Sequence, residues 1–146
     1  MDNGTGKAFR RNDGDIQLTR HFLLSEFTKS ETAEREGIDN TPNVEQVANL
    51  RNLCSFLLEP IRDYVKEPLY ISSGFRSREL NDRVGGVYTS QHREGKAADI
   101  YFKSSKLKCV YNYVQKHLNF DQMILYPTFI HISFNKHNNR REAFVK

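Results

Sequence analysis

The chain has 146 residues, with 22 Lys and Arg against 18 Asp and Glu, a net charge of +4. That length fits one domain with a core of its own, and 38% hydrophobic with 27% charged residues excludes wholesale disorder. No apolar run approaches the ~18 residues needed to span a bilayer. The opening MDNGTGKAFRRNDGD also lacks the apolar stretch of a signal peptide, so the chain is expected in the cytoplasm at synthesis.

Residues 1–16 are polar and without periodicity, and are expected to form a flexible tail before one domain over 17–146. Phe22 to Ala33 suggests a short helical element, and Gly37 ends the helical pattern of Glu31–Glu36. The strongest helix signal comes next. Thr41 suits the cap, Pro42 the first position and Glu45 the positive end. Val44, Val47, Leu50, Cys54, Leu57, Leu58, Ile61 and Val65 then recur at spacings of three and four. Pro60 should kink this helix or split it.

Leu69–Ser72 reads as a strand, Ser77–Val84 as a short helix stopped by Gly85-Gly86, and Ala97–Phe102 as a second strand. Ser104 is expected to cap a helix carrying Leu107, Val110, Tyr111, Val114 and Leu118. Strands over Phe120–Leu125 and Phe129–Phe134 close the chain, joined around Tyr126-Pro127-Thr128. Helices first and strands later indicate an α+β fold with a small, mainly antiparallel sheet.

Cys54 and Cys109 fall in predicted helices without a Cys-x-x-Cys partner and read as buried free thiols. The positive surplus gathers at Lys136, Arg140, Arg141 and Lys146, a basic edge compatible with any polyanion. Nothing like a helix-turn-helix accompanies it, so nucleic acid is not the expected partner.

Among the five histidines, His21, His117 and His137 read as surface or structural residues. His92 and His131 stand apart. His92 precedes a Gly95 turn and the small pair Ala97-Ala98, and Asp99 sits inside an apolar strand, where a carboxylate is costly unless paired, solvated or metal-bound. His131 lies in a similar apolar strand. If the last two strands pair with that of Asp99, the three side chains converge, and two imidazoles with one carboxylate suit zinc with a fourth position for water. A loop His92 and a salt-bridged Asp99 fit the same spacing.

The stretch Ser72-Ser73-Gly74-Phe75-Arg76-Ser77, then Leu80-Asn81, Val84-Gly85-Gly86 and Ser90-x-His92-x-x-Gly95-x-Ala97-x-Asp99, resembles the zinc D-alanyl-D-alanine carboxypeptidase family. Phe120-Asp121-Gln122 through Tyr126-Pro127 to Phe129-Ile130-His131-Ile132 resembles that family's closing motif. The similarity runs from about Gln17 to the C-terminus and is nearest to phage and prophage-type members. It implies the Hedgehog/DD-peptidase fold and zinc held by His92, Asp99 and His131. It further implies a zinc metallopeptidase cutting D-amino-acid-containing peptide bonds of peptidoglycan, as carboxypeptidase or endopeptidase. Arg76 would then meet the substrate carboxylate or the developing oxyanion, with Ser90 and Gln122 lining the cleft or bracing the ligands. The stem peptide of peptidoglycan is the implied partner, met after export or lysis by a monomer.

The family carboxylate that takes a proton from water is missing. Three residues before His131 stands Thr128, and two residues after it Ser133. Asp121 and Glu94 are the nearest carboxylates in sequence, and His137 or Tyr126 could approach from the last strands. A catalytically weak zinc or cell-wall-binding module of the same fold is the alternative this departure raises.

Overall fold

The computed structural model describes residues 9–10 and 14–146. The expected tail over 1–16 therefore lies mostly outside the described residues. Within it, β1 (Phe9–Arg10) pairs antiparallel with β2 (Ile16–Thr19), and β2 pairs with β3 (Phe22–Leu23). This small sheet has no counterpart in the sequence pattern, because its strands are too short for alternation to register.

Two short helices come next, α1 (Ser25–Thr28) and α2 (Glu31–Glu36). The Ser30 hydroxyl accepts from the Ala33 N–H to open α2, and Gly37 closes it in the left-handed conformation, φ 67°. The long helix begins with α3 (Val44–Leu53), capped by Asn43 rather than Thr41. Asn43 accepts from the Gln46 N–H while the Gln46 side chain accepts from the Asn43 N–H, a reciprocal box that Thr41-Pro42 could not form. Pro60 does not split the helix. Cys54–Leu58 widens into a π-helical turn in which the Glu59 N–H reaches the Cys54 carbonyl, and Pro60 sits in the first turn of α4 (Glu59–Val65). There its missing N–H is not called upon.

The main sheet has five strands in the order β4-β5-β7-β6-β8: β4 (Tyr70–Ser73), β5 (Ala97–Tyr101), β6 (Gln122–Leu125), β7 (Ile130–Ser133) and β8 (Glu142–Val145). The first four pair antiparallel, and β8 lies parallel to β6. Strand β8, with its polar flanks, is a further element the sequence did not disclose.

Between these strands lie α5 (Arg78–Arg83), capped by Ser77, and α6 (Leu107–His117). Ser104 does not cap α6; its hydroxyl donates to Glu67, and α6 starts at Leu107 without a side-chain cap. One face of the sheet, with Ile71, Ala98, Ile100, Met123, Ile130 and Ile132, joins Leu50, Leu57, Ile61, Val110 and Val114 of the helices in the core. Cys54 belongs to this core, whereas Cys109 is exposed, and both thiols are free. The α+β class and the mainly antiparallel sheet expected from the sequence both hold. No helix among the described residues is long and apolar enough to cross a membrane.

Candidate metal centre

The sheet register brings two of the expected residues together directly. Asp99 on β5 stands opposite His131 on β7, with Ala98–Ile132 and Ile100–Ile130 as flanking pairs. Strand alternation then turns the isoleucines and Ala98 to the core and Asp99 and His131 to the other face. The Nδ1 of His131 lies 2.9 Å from Oδ1 of Asp99.

His92 arrives from a 3-10 turn, Gln91–Glu94, that ends in Gly95 at φ 76°. The turn is fastened from several sides. Ser90 Oγ accepts from the His92 N–H at 3.2 Å, and Arg76 donates its N–H to the His92 carbonyl at 3.1 Å. From α3, Gln46 Nε2 donates to the Arg93 carbonyl at 3.1 Å and Asn49 Nδ2 to the Glu94 carbonyl at 2.9 Å. A Cβ on Gly95 would lie 2.5 Å from the Gln46 carbonyl oxygen, so this close approach requires glycine.

The His92 ring is 3% exposed, with Nδ1 2.7 Å from the Gly74 carbonyl oxygen and Nε2 3.4 Å from Oδ1 of Asp99. A carbonyl can only accept, so Nδ1 carries a hydrogen and Nε2 is the nitrogen turned to Asp99, able to donate when the ring is protonated and to act as a ligand when it is neutral. The rings of His92 and His131 are 5.2 Å apart between centroids. Burial by itself would raise the Asp99 carboxyl, but hydrogen bonds from His131 and His92, with their charge, outweigh it and hold Asp99 well below the ordinary carboxylate range.

One ligand atom from each of His92, Asp99 and His131 lies within 4.8 Å of the others, and among the described residues this is the one cluster of its kind. Donors around a tetrahedral zinc stand about 2.0–2.2 Å from it, which places them roughly 3.4 Å from one another, and the 3.4 Å between His92 and Asp99 already matches. The donor set fits zinc chemically as well: two imidazoles, one carboxylate, and a ring whose second nitrogen is held by a backbone carbonyl.

Arg76 sits beside this cluster, half-buried. Its Nη1 donates to Asn81 Oδ1 at 2.9 Å and its Nε approaches Ser73 Oγ at 3.4 Å. Those two contacts leave other donors of the five-donor fork unused. Burial lowers the Arg76 pKa, opposed by the charge of Asp99. Asn81 is fully buried and also donates to the Val87 carbonyl at 2.9 Å, so the arginine is steered by a rigid partner. Gly86 makes room for that pair, since a Cβ there would meet Asn81 Oδ1 and Arg76 Nη1. The Leu80-Asn81 and Gly85-Gly86 motifs carried the signal for this support, although no role for Asn81 could be read from them. A cavity of about 690 Å³ opens from Arg76, Ser73 and Tyr101 towards Lys29, Glu31 and Glu34.

Ser90 thus braces the His92 turn. Gln122 stands on β6 two residues before Ile124, the partner of His131, and so on the same sheet face; its Nε2 donates to Glu142 Oε1 at 2.8 Å, tying β6 to β8. Of the groups that could stand in for the missing carboxylate, Asp121 is consumed by Gln91 and Arg140, and Glu94 pairs with Lys96 at 3.0 Å. His137 lines a different cavity. Tyr126 continues the β6–β7 register opposite Phe129, on the sheet face of His131, and stacks on Phe129 with centroids 4.5 Å apart. Thr128 is exposed in the turn, and Ser133 is fully buried against Gln122, with no room for a carboxylate.

No curated protein matches the chain. A family model described as Peptidase M15 matches residues 20–133, a span that contains His92, Asp99, His131 and Arg76 together with the strands and turn that position them. Peptidases of this family are zinc-dependent, and the chain belongs to the M15 peptidase family.

Proposed function

We propose that this metallopeptidase hydrolyses peptide bonds formed by D-amino acids in the stem peptides of peptidoglycan, with His92, Asp99 and His131 as the zinc ligands. The observation that carries the reading is the convergence of these three donors, with Arg76, whose guanidinium feels the charge of Asp99, lining a cavity of about 690 Å³. Bound there, zinc supplies Lewis acidity, polarising a carbonyl and making water a competent nucleophile near neutral pH.

The remaining work falls to the chain itself. His92, fixed through Gly74, and His131, fixed through its strand, hold their nitrogens towards one point, so little reorganisation is needed to form the site. Arg76 offers its free donors to the substrate carboxylate or to the oxyanion that develops at the scissile carbonyl. The Lys29, Glu31 and Glu34 end of the cavity takes the rest of the peptide. Tyr126, on the same sheet face two residues beyond the Ile124 that stands opposite His131, is the side chain that would supply a proton or a hydrogen bond during turnover. The substrate lies in the wall, which the protein reaches after export or lysis, working as a monomer.

The test is digestion of purified peptidoglycan, with and without zinc, and products read by mass spectrometry. Zinc-dependent loss of terminal D-Ala identifies a carboxypeptidase, and release of cross-linked peptides an endopeptidase; either is lost in His131→Ala. A second reading, a weak or inactive zinc and wall-binding module of the same fold, is favoured by one observation. Neither familiar carboxylate stands near His131, where Thr128 and Ser133 take its places. No cleavage by the folded, zinc-loaded protein would decide for that module.

A further inference from the structure

A second cavity, of about 730 Å³, lies away from the metal residues and shares none of them. Its volume falls within the range of about 300–1,000 Å³ common to ligand clefts. Its floor is Phe56. The ring of Phe56 is 55% exposed yet lies flat on Phe134, 4.9 Å between centroids and 10° between planes, while Phe134 beneath is 8% exposed. One face of Phe56 is therefore supported by protein and the other is open to water.

The backbone is shaped for that presentation. Phe56 sits in the middle of the Cys54–Leu58 π turn, whose Cys54, Leu57 and Leu58 are buried. Turns of this kind recur at functional sites. Around the ring stand the amides of Asn52, Asn119 and Asn138, and no lining residue is acidic. The rim loop with Lys136 and His137 is held by Asn139, whose Oδ1 accepts from the Asn135 N–H and whose Nδ2 donates to the Asn135 carbonyl, both at 2.8 Å. On the opposite rim, His117 contacts Tyr113 at 5.1 Å, and Tyr113 stacks on Tyr64 at 4.0 Å. Rings thus continue from the cavity along the helices.

We infer that this cavity binds a glycan, with a pyranose ring stacked on the open face of Phe56 and its hydroxyl and amide groups hydrogen-bonded to the surrounding asparagines. A supported aromatic face meets the C–H face of a sugar, and side-chain amides both donate and accept, as sugar substituents require. Lys136 and the absence of carboxylates admit a neutral or acidic sugar and disfavour a cationic one. A nucleic acid would also stack on Phe56, but it needs cations along its backbone, and the two neighbouring arginines are committed. Arg140 pairs with Asp121, and Arg141 donates to the Leu118 and Gln115 carbonyls at the end of α6. The saccharide class rests on these residues alone; the choice of an N-acetylated sugar rests on the peptidoglycan reading.

The experiment is titration of the ¹⁵N-labelled protein with the tetramer of N-acetylglucosamine, followed by amide resonances. Shifts at residues 52–56, 119 and 136–139 are expected, with affinity falling at least tenfold in Phe56→Ala. Asn138→Ala and Lys136→Glu, on the exposed rim, weaken binding without touching the core, which covers a failure of Phe56→Ala to fold. His131→Ala leaves the affinity unchanged, so loss of zinc chemistry and loss of sugar binding are read apart. No shifts, shifts confined to the face of Asp99 and His131, or shifts at these residues with an oligothymidine but not the sugar, would overturn the inference.

Discussion

His92 donates from Nδ1 to the Gly74 carbonyl over 2.7 Å, and this one bond decides which ring nitrogen meets Asp99. The carbonyl is placed by an equally close contact. A Cβ on Gly74 would lie 2.7 Å from the Cα and carbonyl oxygen of Phe27, and the Phe75 N–H donates to that same Phe27 carbonyl. Gly74→Ala must therefore push the end of β4 away from α1 and take the His92 acceptor with it. Zinc affinity is expected to fall about ten- to hundredfold, the usual effect of losing an outer partner of a metal ligand, measured by competition with a chromogenic chelator. Unchanged affinity would show that His92 is oriented by its own turn alone.

Zinc should also stabilise the fold. The three donors come from a turn and two strands far apart in the chain, so the unfolded chain offers no comparable site. At zinc a hundredfold above its dissociation constant the gain is about 2.7 kcal/mol, visible as a rise of several degrees in melting temperature. Asp99→Asn keeps the shape of the side chain and removes its charge, and should abolish most of that rise. A rise that survives in Asp99→Asn would place the metal elsewhere.

Arg76 and Asn81 form a pair in which the buried amide aims the guanidinium. Arg76→Lys preserves the charge but not the fork, so turnover should drop by roughly 10²–10³, as on loss of an oxyanion donor, with zinc affinity unchanged. Asn81→Ala leaves the arginine in place but free to swing, empties a fully buried polar position and takes the donor from the Val87 carbonyl. That should raise KM more than it lowers kcat, together with a stability loss of about 1–3 kcal/mol. Steady-state kinetics on a stem pentapeptide, with thermal melts alongside, separate the two effects.

Much of this site was legible because its requirements are local. Gly95 needs a left-handed backbone and a close neighbour, and Asp99 stands between core residues where a carboxylate demands a reason; both stand out in the sequence. The support from elsewhere in the chain was not legible. Gln46 and Asn49 look like ordinary polar positions of a helix, and only the tertiary fold sets their amides on the turn of His92. The same holds for Asn43, which outcompetes Thr41 as a cap because Gln46 can answer it three residues on. Strand β8 escaped because pairing with β6, rather than any apolar alternation of its own, makes it a strand. The basic C-terminus was legible only as charge for a related reason: a sequence carries no sign of a charge's partner, and here Arg140 meets Asp121 while Arg141 donates to the carbonyls at the end of α6.

Asp121 makes that last point measurable. It is 3% exposed and accepts from the Arg140 backbone, from Arg140 Nε and Nη2, and from Gln91 Nε2, so it ties β8 and the His92 turn to the start of β6. Burial alone would raise its carboxyl; the hydrogen bonds and charge of Arg140, with Gln91, lower it instead. A carboxyl depressed in the folded state binds its proton less readily there than in the unfolded chain. Its stabilisation is therefore fully present above the unfolded value of about 3.9 and is lost as pH falls below it towards the folded value. Arg140→Met should cost about 1–3 kcal/mol at pH 7, because it leaves a buried acceptor short of donors. The loss should shrink as pH drops below about 4, where the unfolded chains take up a proton that the folded wild type, with its depressed carboxyl, still resists. Urea unfolding of the metal-free proteins at pH 7 and pH 3 measures the two differences, and an Arg140→Met penalty that stays constant across that range would assign Asp121 no titrating role in the fold.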